Sequence, residues 1–348
     1  MTDAARSKFE SEASEAPGLV ASQFERLTQA LPALIEPLQR LAPSLIATIA
    51  RGSSDHAAAF AGYLVSLRLG LPVASLPPSL ASVYGRTLRL DRAVALAISQ
   101  SGASPDLSAA VASAKSGGAF TLGLVNEAGS ALGRVVDAEI EIGAGDELAV
   151  AATKTFILSL SAVVHLVGAW TRDATLLKAL ESLPATLTQC ESVDWAAATQ
   201  LLAAHEDVFV VGRGPTLPIA REFALKLKEV CGIHAEAMSA AELLHGPISI
   251  ASPLLPAIVL AGDEQVRPTV DAAVSRLLAA GAPVVLLAPS REDGADGLEF
   301  VTVPKASDPL LQPLVAIDAA YRFFATLARA RGRDPDHPPH LQKVTRTL

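Results

Sequence analysis

Ser44-Leu45-Ile46-Ala47-Thr48-Ile49-Ala50, running into Arg51-Gly52-Ser53-Ser54-Asp55, decides the fold of this chain. The first part is an apolar run of strand length, and the second is a Gly/Ser turn leading into a helical pattern from about His56 to Leu69. The plan then repeats. Ala93-Val94-Ala95-Leu96-Ala97-Ile98 reads as a strand, Ser99-Gln100-Ser101-Gly102-Ala103-Ser104 as its loop, and a helix follows. Further strands are expected near Phe120 to Val125 and Ala138 to Ile142. Strands alternating with helices at this spacing imply a mostly parallel sheet with helices on both faces.

Upstream, residues 17 to 42 read as mostly helical, with Pro32 and Pro37 expected to kink or split the helix before Pro43 ends it. Downstream, the apolar stretch from Val150 to Trp170 contains Lys154 and His165, so it reads as a buried helix rather than a membrane span. A second copy of the plan follows. Val208-Phe209-Val210-Val211 is its strand, Gly212-Arg213-Gly214-Pro215 its loop and Ile219 to Val230 its helix, with later strands near Pro256 to Ala261, Pro283 to Ala288 and Phe300 to Val303. The match of Ala50-Arg51-Gly52 to Gly212-Arg213-Gly214 suggests an internal duplication with its boundary near residues 185 to 200.

Composition narrows the function. Of 348 residues, 50% are hydrophobic, 18% charged and 4% aromatic, which suits a layered α/β protein packed with small aliphatic side chains. A formal net charge of −8 argues against a nucleic-acid partner, so any anionic ligand must be held locally. Cys190 and Cys231 read as reduced thiols. No signal-like apolar region opens the chain and no run of roughly 18 apolar residues follows, so a cytoplasmic protein with no membrane partner is expected. The histidines are scattered and no Cys/His spacing fits zinc, so neither a metal nor an organic cofactor is expected.

Two loops carry dense hydroxyls: Gly52-Ser53-Ser54 and Ser99 through Ser104. Each sits where a strand feeds a helix, so backbone N–H groups and the helix dipole favour an anion there, and a phosphate is the natural guest. Adjacent parallel strands would bring both loops to the carboxyl edge of one sheet. The alternative is that the serines cap their helices. No Gly-Lys-Ser/Thr follows either loop, which excludes a Walker A. In the second half, Glu222, Lys226 and Glu229 stand at i, i+4 and i+7 on one helical face, with Lys228 off it. Aldose–ketose chemistry needs a base to move a proton between C1 and C2 and a cation to steady the enediol oxygen, and an adjacent histidine can open the ring. An exposed salt-bridge ladder would have the same spacing, and His245 before Gly246-Pro247 reads equally as structural.

These residues resemble the sugar isomerase (SIS) half of glucosamine-6-phosphate synthase. The family's Gly-Thr-Ser and Ser-Gln-Ser-Gly-Glu-Thr loops stand here as Gly52-Ser53-Ser54 and Ser99 to Ser104. Its Glu-Ile-x-Val-Ala-Ser-Thr-Lys segment stands as Glu147 to Lys154, and its Ala-Leu-Lys-Leu-Lys-Glu through His-Gly-Pro stretch as Ala224 to Pro247. The tail Asp334 to Thr345 resembles the family ending. The resemblance implies two tandem SIS domains, each a mostly parallel five-stranded sheet in an αβα sandwich. Residues 1–43 would form an N-terminal helical segment, 44–190 the phosphate-binding domain, 191–333 the acid-base domain and 334–348 an active-site tail. It also implies that Gly52, Ser53, Ser54, Ser99, Gln100, Ser101, Ser104 and Val150 hold the sugar phosphate. Glu229 would shuttle the C1/C2 proton, Lys226 would support the oxyanion, and His245 would open the ring across a homodimer interface. Lys343 would sit at C2.

Arg51 departs from the family pattern where a small residue is usual, as do Ala103 for Glu and Ala152 for Ser. Position 2 is Thr rather than the nucleophilic Cys of a glutaminase domain, and the first SIS strand begins by about residue 44, so this chain is expected not to hydrolyse glutamine. The leading expectation is a deaminase/isomerase converting glucosamine 6-phosphate to fructose 6-phosphate and ammonia. The alternatives are an aminotransferase using free ammonia, a deglycase or isomerase of other amino sugars, and a non-catalytic sugar-phosphate sensor.

Overall fold

The computed structural model describes residues 6–290 and 296–343; the opening residues to Ala5 and the tail residues Val344 and Thr345 lie outside it. Helices α1 (Lys8–Ser14) and α2 (Ala16–Leu41) precede β1 (Leu45–Ile49), α3 (Ser53–Leu69), β2 (Val73–Ser75), α4 (Ser79–Ser82) and β3 (Ala93–Ser99). Then come α5 (Pro105–Ser116), β4 (Phe120–Val125), β5 (Ala138–Glu141), α6 (Lys154–Thr171), α7 (Ala174–Gln189) and α8 (Ala196–Ala203). The second half holds β6 (Asp207–Gly212), α9 (Thr216–Lys226), β7 (His234–Ser239), α10 (Ala240–His245), β8 (Ala257–Leu260), α11 (Arg267–Ala279), β9 (Val284–Ala288), β10 (Leu298–Thr302) and α12 (Gln312–Ala330).

Two five-stranded sheets result, ordered β2-β1-β3-β4-β5 and β10-β9-β8-β6-β7, and every pairing is parallel. The tandem αβα architecture is therefore the one expected. Its cause is visible in β3, where all of Ala93 to Ser99 is buried: Ala93, Ala95 and Ala97 pack with Leu107, Ala110 and Val111 of α5, leaving Val94, Leu96 and Ile98 to be covered on the other face. In the second sheet Val211, Val259 and Leu286 pack in the same way with Val270, Ala273 and Leu277 of α11.

The chain divides into two compact units, neither of them contiguous. One holds the first sheet, from Gly18–Glu147, Lys154–Glu181 and the stretch from Gln342; the other holds the second sheet, from the residues up to Pro17, Leu148–Thr153 and Ser182–Leu341. Helix α1 thus belongs with the second sheet. Its Ser7/Glu10 capping box starts the helix. Asp336 accepts from Lys8 N and Phe9 N, each at 2.9 Å, and Phe9 meets Tyr321 of α12 edge to face at 5.7 Å.

Several local expectations change. Helix α2 runs unbroken through Pro32 and Pro37, because a buried stripe of Leu27, Leu31, Ile35 and Leu38 anchors both sides of the prolines. Helix α6 starts at Lys154, after a turn at 150–153, and β2 and β7 appear where no element was expected. His165 is tolerated inside α6 because it stacks on Phe24 at 4.8 Å and burial pulls its imidazole down to about 4, so it is neutral at pH 7. Helix α6 and the Pro309–Ala330 segment have the length and apolarity of membrane spans, yet 89% and 78% of those windows are buried inside the protein.

Candidate active site

The two hydroxyl loops lie side by side at the carboxyl edge of the first sheet, since β1 and β3 are adjacent and in register through Ile49 and Ala97. Gly52 adopts φ +57°, a conformation that favours glycine, and is the N-cap of α3, which puts Ser53 and Ser54 in the first helical turn. Ser104 is the N-cap of α5, but its side chain makes no capping bond. At these two N-cap positions, then, no serine side chain makes a capping bond. Ser99 Oγ accepts from Gly102 N at 3.0 Å and Ser101 Oγ from Ala103 N at 3.3 Å. Each hydroxyl so used still has an O–H to donate. Ser53, Ser54, Gln100, Ser101 and Ser104 are half-buried, and Ser99 is buried.

Asn126, which the sequence reading overlooked, braces the neighbouring loop: its Oδ1 accepts from Ala144 N at 2.7 Å and its Nδ2 donates to Gly145 O at 2.9 Å. That loop delivers Glu147, whose buried carboxylate accepts from Thr155 N at 3.0 Å and Thr155 Oγ1 at 2.7 Å. Lys343 Nζ donates to the same carboxylate at 2.8 Å. Glu147 was quoted only as part of a motif; its pairing with Lys343 could not be inferred from residues 196 apart. The next residues belong to the other unit, where buried Glu12 accepts from Leu148 N at 2.5 Å and Ala149 N at 3.1 Å, and Tyr321 donates to Thr153 O at 3.2 Å. Val150 sits half-buried in this turn.

In the unit of the second sheet, α9 ends at Lys226 and passes into a π-helical turn, Leu227–Cys231, closed by Gly232 at φ +63°. Helix α12 seats this segment through Phe223 against Phe324, edge to face at 5.2 Å, and Cys231 Sγ near Phe324 O at 3.3 Å. Lys226 Nζ lies 3.4 Å from Glu222 Oε1 and 2.5 Å from Glu229 Oε2. Glu222 and Lys226 are 0% and 1% exposed, so the exposed-ladder alternative does not hold, while Glu229 is 24% exposed. Burial acts to lower the Lys226 ammonium, but the negative charges of Glu222 and then Glu229 outweigh it and hold the group above its ordinary range. Lys226 is thus a fixed cation, suited to steadying an oxyanion, beside a carboxylate with access to solvent. A π turn is itself a frequent mark of a functional segment.

His245 ends α10, whose Ser239/Glu242 capping box starts the helix, and its side chain is exposed. No hydrogen bond or ion pair joins it to Lys226 or Glu229. Ile250 and Leu254, just after it in sequence, are 60% and 81% exposed.

The SIS domain model matches this chain at residues 43–169 and 201–304. The glutamine–fructose-6-phosphate aminotransferase (isomerizing) of Aquifex aeolicus is 33% identical over 303 residues, covering 85% of this chain and 50% of that protein. This chain spans about half the length of the curated relatives it matches. A solved structure from Silicibacter pomeroyi, provisionally described as a phosphosugar isomerase, is 38% identical with a TM-score of 0.89, covering 95% of this chain and 100% of that one. The C-terminal domain of glucosamine-fructose-6-phosphate aminotransferase from Francisella tularensis shares the fold at a TM-score of 0.88 and 22% identity, covering 97% of this chain and all of that one.

Proposed function

This chain belongs to the SIS domain family, and on that footing we propose that it is a sugar-phosphate isomerase whose reaction releases ammonia from glucosamine 6-phosphate and yields fructose 6-phosphate. The observation that carries the reading is the buried Glu222–Lys226 pair beside half-buried Glu229, because a ligand sensor has no use for a desolvated ammonium flanked by carboxylates at a π turn. Gly52, Ser53, Ser54, Ser99, Gln100, Ser101 and Ser104 would hold the phosphate, with Val150 beside the sugar.

Glu229 would take the C2 proton of the open-chain amino sugar while Lys226 steadies the oxygen on C1. Returning the proton to C1 leaves an alcohol at C1 and an imine at C2. Water then adds to C2 and ammonia departs. Lys343 would serve at C2, its amine exchanging with ammonia as a second imine before hydrolysis, with Glu147 placed to take its proton. The exposure of His245, Ile250 and Leu254 supports a homodimer in which ring opening falls to His245 of the partner subunit, and a cytoplasmic location is part of the same proposal.

The names of the 33% identical relatives favour a second reading, the reverse amination of fructose 6-phosphate. Both are tested by incubating the protein with glucosamine 6-phosphate, and separately with fructose 6-phosphate and ammonium salt. Ammonia and fructose 6-phosphate from the first mixture support deamination, whereas product from the second alone supports amination. Binding without turnover in either would leave a sensor.

A further inference from the structure

Arg51 follows β1, and its side chain reaches the start of α5, where Nε and Nη2 donate to Asp106 Oδ2 at 2.9 and 2.7 Å. Asp106 lies in the first turn of α5, just past Ser104 and Pro105, with a side chain 0% exposed, whereas that of Arg51 is 48% exposed. The other carboxylate oxygen accepts from Leu107 N at 2.9 Å. Nη1 of Arg51 makes no hydrogen bond among the described residues. The ion pair therefore joins the residue before Gly52 to the helix fed by the Ser99–Ser104 loop, and so spans both hydroxyl loops.

A carboxylate in the first turn suits the helix dipole, but at this spot it also opposes a phosphate drawn to the same helix end. Being buried, it is poorly screened by solvent. The Arg51 guanidinium, paired with Oδ2, supplies a counter-charge. We propose that Arg51 is a specificity-determining residue of the phosphate site: it cancels the charge of Asp106 and offers Nη1 to the anion, so that the paired loops accept a phosphorylated sugar. This rests on the reading of the two loops as phosphate binders.

The test is calorimetric titration of the full chain with fructose 6-phosphate at about pH 8, where carboxylates are ionised. Arg51→Met should weaken binding about 10- to 100-fold, the worth of a charge-assisted hydrogen bond. Arg51→Lys keeps the charge and should retain most of the affinity; Arg51→Met with Asp106→Asn should recover part of the loss, since the opposing carboxylate is gone. A double variant that binds no better than Arg51→Met would reject charge cancellation. So would Arg51→Lys losing as much as Arg51→Met while both melt early, because the pair would then be a structural tie. Ser99→Ala with Ser101→Ala separates the two layers of the argument. If that protein is weakened and Arg51→Met is not, the Arg51 inference fails alone; if neither is weakened, the loop reading fails first.

Discussion

Lys226→Met removes the ammonium from between Glu222, 3.4 Å away, and Glu229, 2.5 Å away, while nearly conserving side-chain volume. Glu229 is 24% exposed and can turn to water, but Glu222 has no exposed side-chain surface. Glu222 must then either keep its charge without the ammonium 3.4 Å away or take up a proton. Breaking a buried pair from one side costs about 3–5 kcal/mol, and protonating an ordinary glutamate at pH 7 costs about 3.7 kcal/mol, which caps the loss. A destabilisation of about 3–4 kcal/mol at pH 7 is therefore expected.

The sign with pH follows from linkage. In the parent protein the raised Lys226 contributes stability that is whole below its ordinary 10.5 and fades only as pH climbs past that value toward the folded one. In Lys226→Met, a glutamate that binds its proton more tightly when folded loses stability as pH rises above about 4.3, by at most about 1.4 kcal/mol per pH unit. The gap between variant and parent should therefore narrow from pH 7 to pH 5. Urea unfolding at both pH values measures it, and adding Glu222→Gln should restore most of the stability without activity. A loss under about 1 kcal/mol at pH 7, or no rescue by Glu222→Gln, would refute the reasoning.

Glu229→Gln should bind fructose 6-phosphate normally and lose about 10² to 10⁴ in kcat; near-normal turnover in a folded variant rejects it as the base. Ser99→Ala with Ser101→Ala should raise KM far more than it lowers the melting temperature, checked by steady-state kinetics and thermal unfolding. Borohydride should trap fructose 6-phosphate covalently on the parent protein and not on Lys343→Arg, read by intact mass, and equal labelling of both would remove the lysine from C2. Mixing inactive Glu229→Gln with inactive His245→Ala should restore up to about half of one enzyme's activity per heterodimer if His245 acts across the interface; confirmed subunit exchange without activity would exclude that role.

The strand–loop–helix plan was legible because Leu45–Ile49 and Ala93–Ser99 are uninterrupted apolar runs ending in Gly/Ser turns. Strand β7 was not, because His234-Ala235-Glu236-Ala237 alternates small and charged residues on a sheet edge where neither face needs to be strongly apolar. Spacing placed Glu222, Lys226 and Glu229 together, but burial separates a desolvated cluster from a surface ladder, and that comes from α12 packing on α9. The π turn leaves no trace in the pattern Leu227-Lys228-Glu229-Val230-Cys231. The partner of Lys343 and the bracing by Asn126 depend on contacts between distant stretches, which periodicity does not encode. Arg51 stood out as a departure, yet only the structure supplies Asp106 as its counter-ion.

The interleaving of the two units imposes an order of events on a growing chain. Lys8 and Phe9 must wait 328 and 327 residues for the carboxylate of Asp336 that receives their N–H groups, and Glu147 waits 196 residues for Lys343. At about 5–20 residues per second that last interval is on the order of ten to forty seconds. The first sheet and its hydroxyl loops can form within it. A nascent chain paused before residue 336 would then carry both hydroxyl loops without Lys343, so on the proposed function the ability to recognise the ligand would precede the ability to transform it.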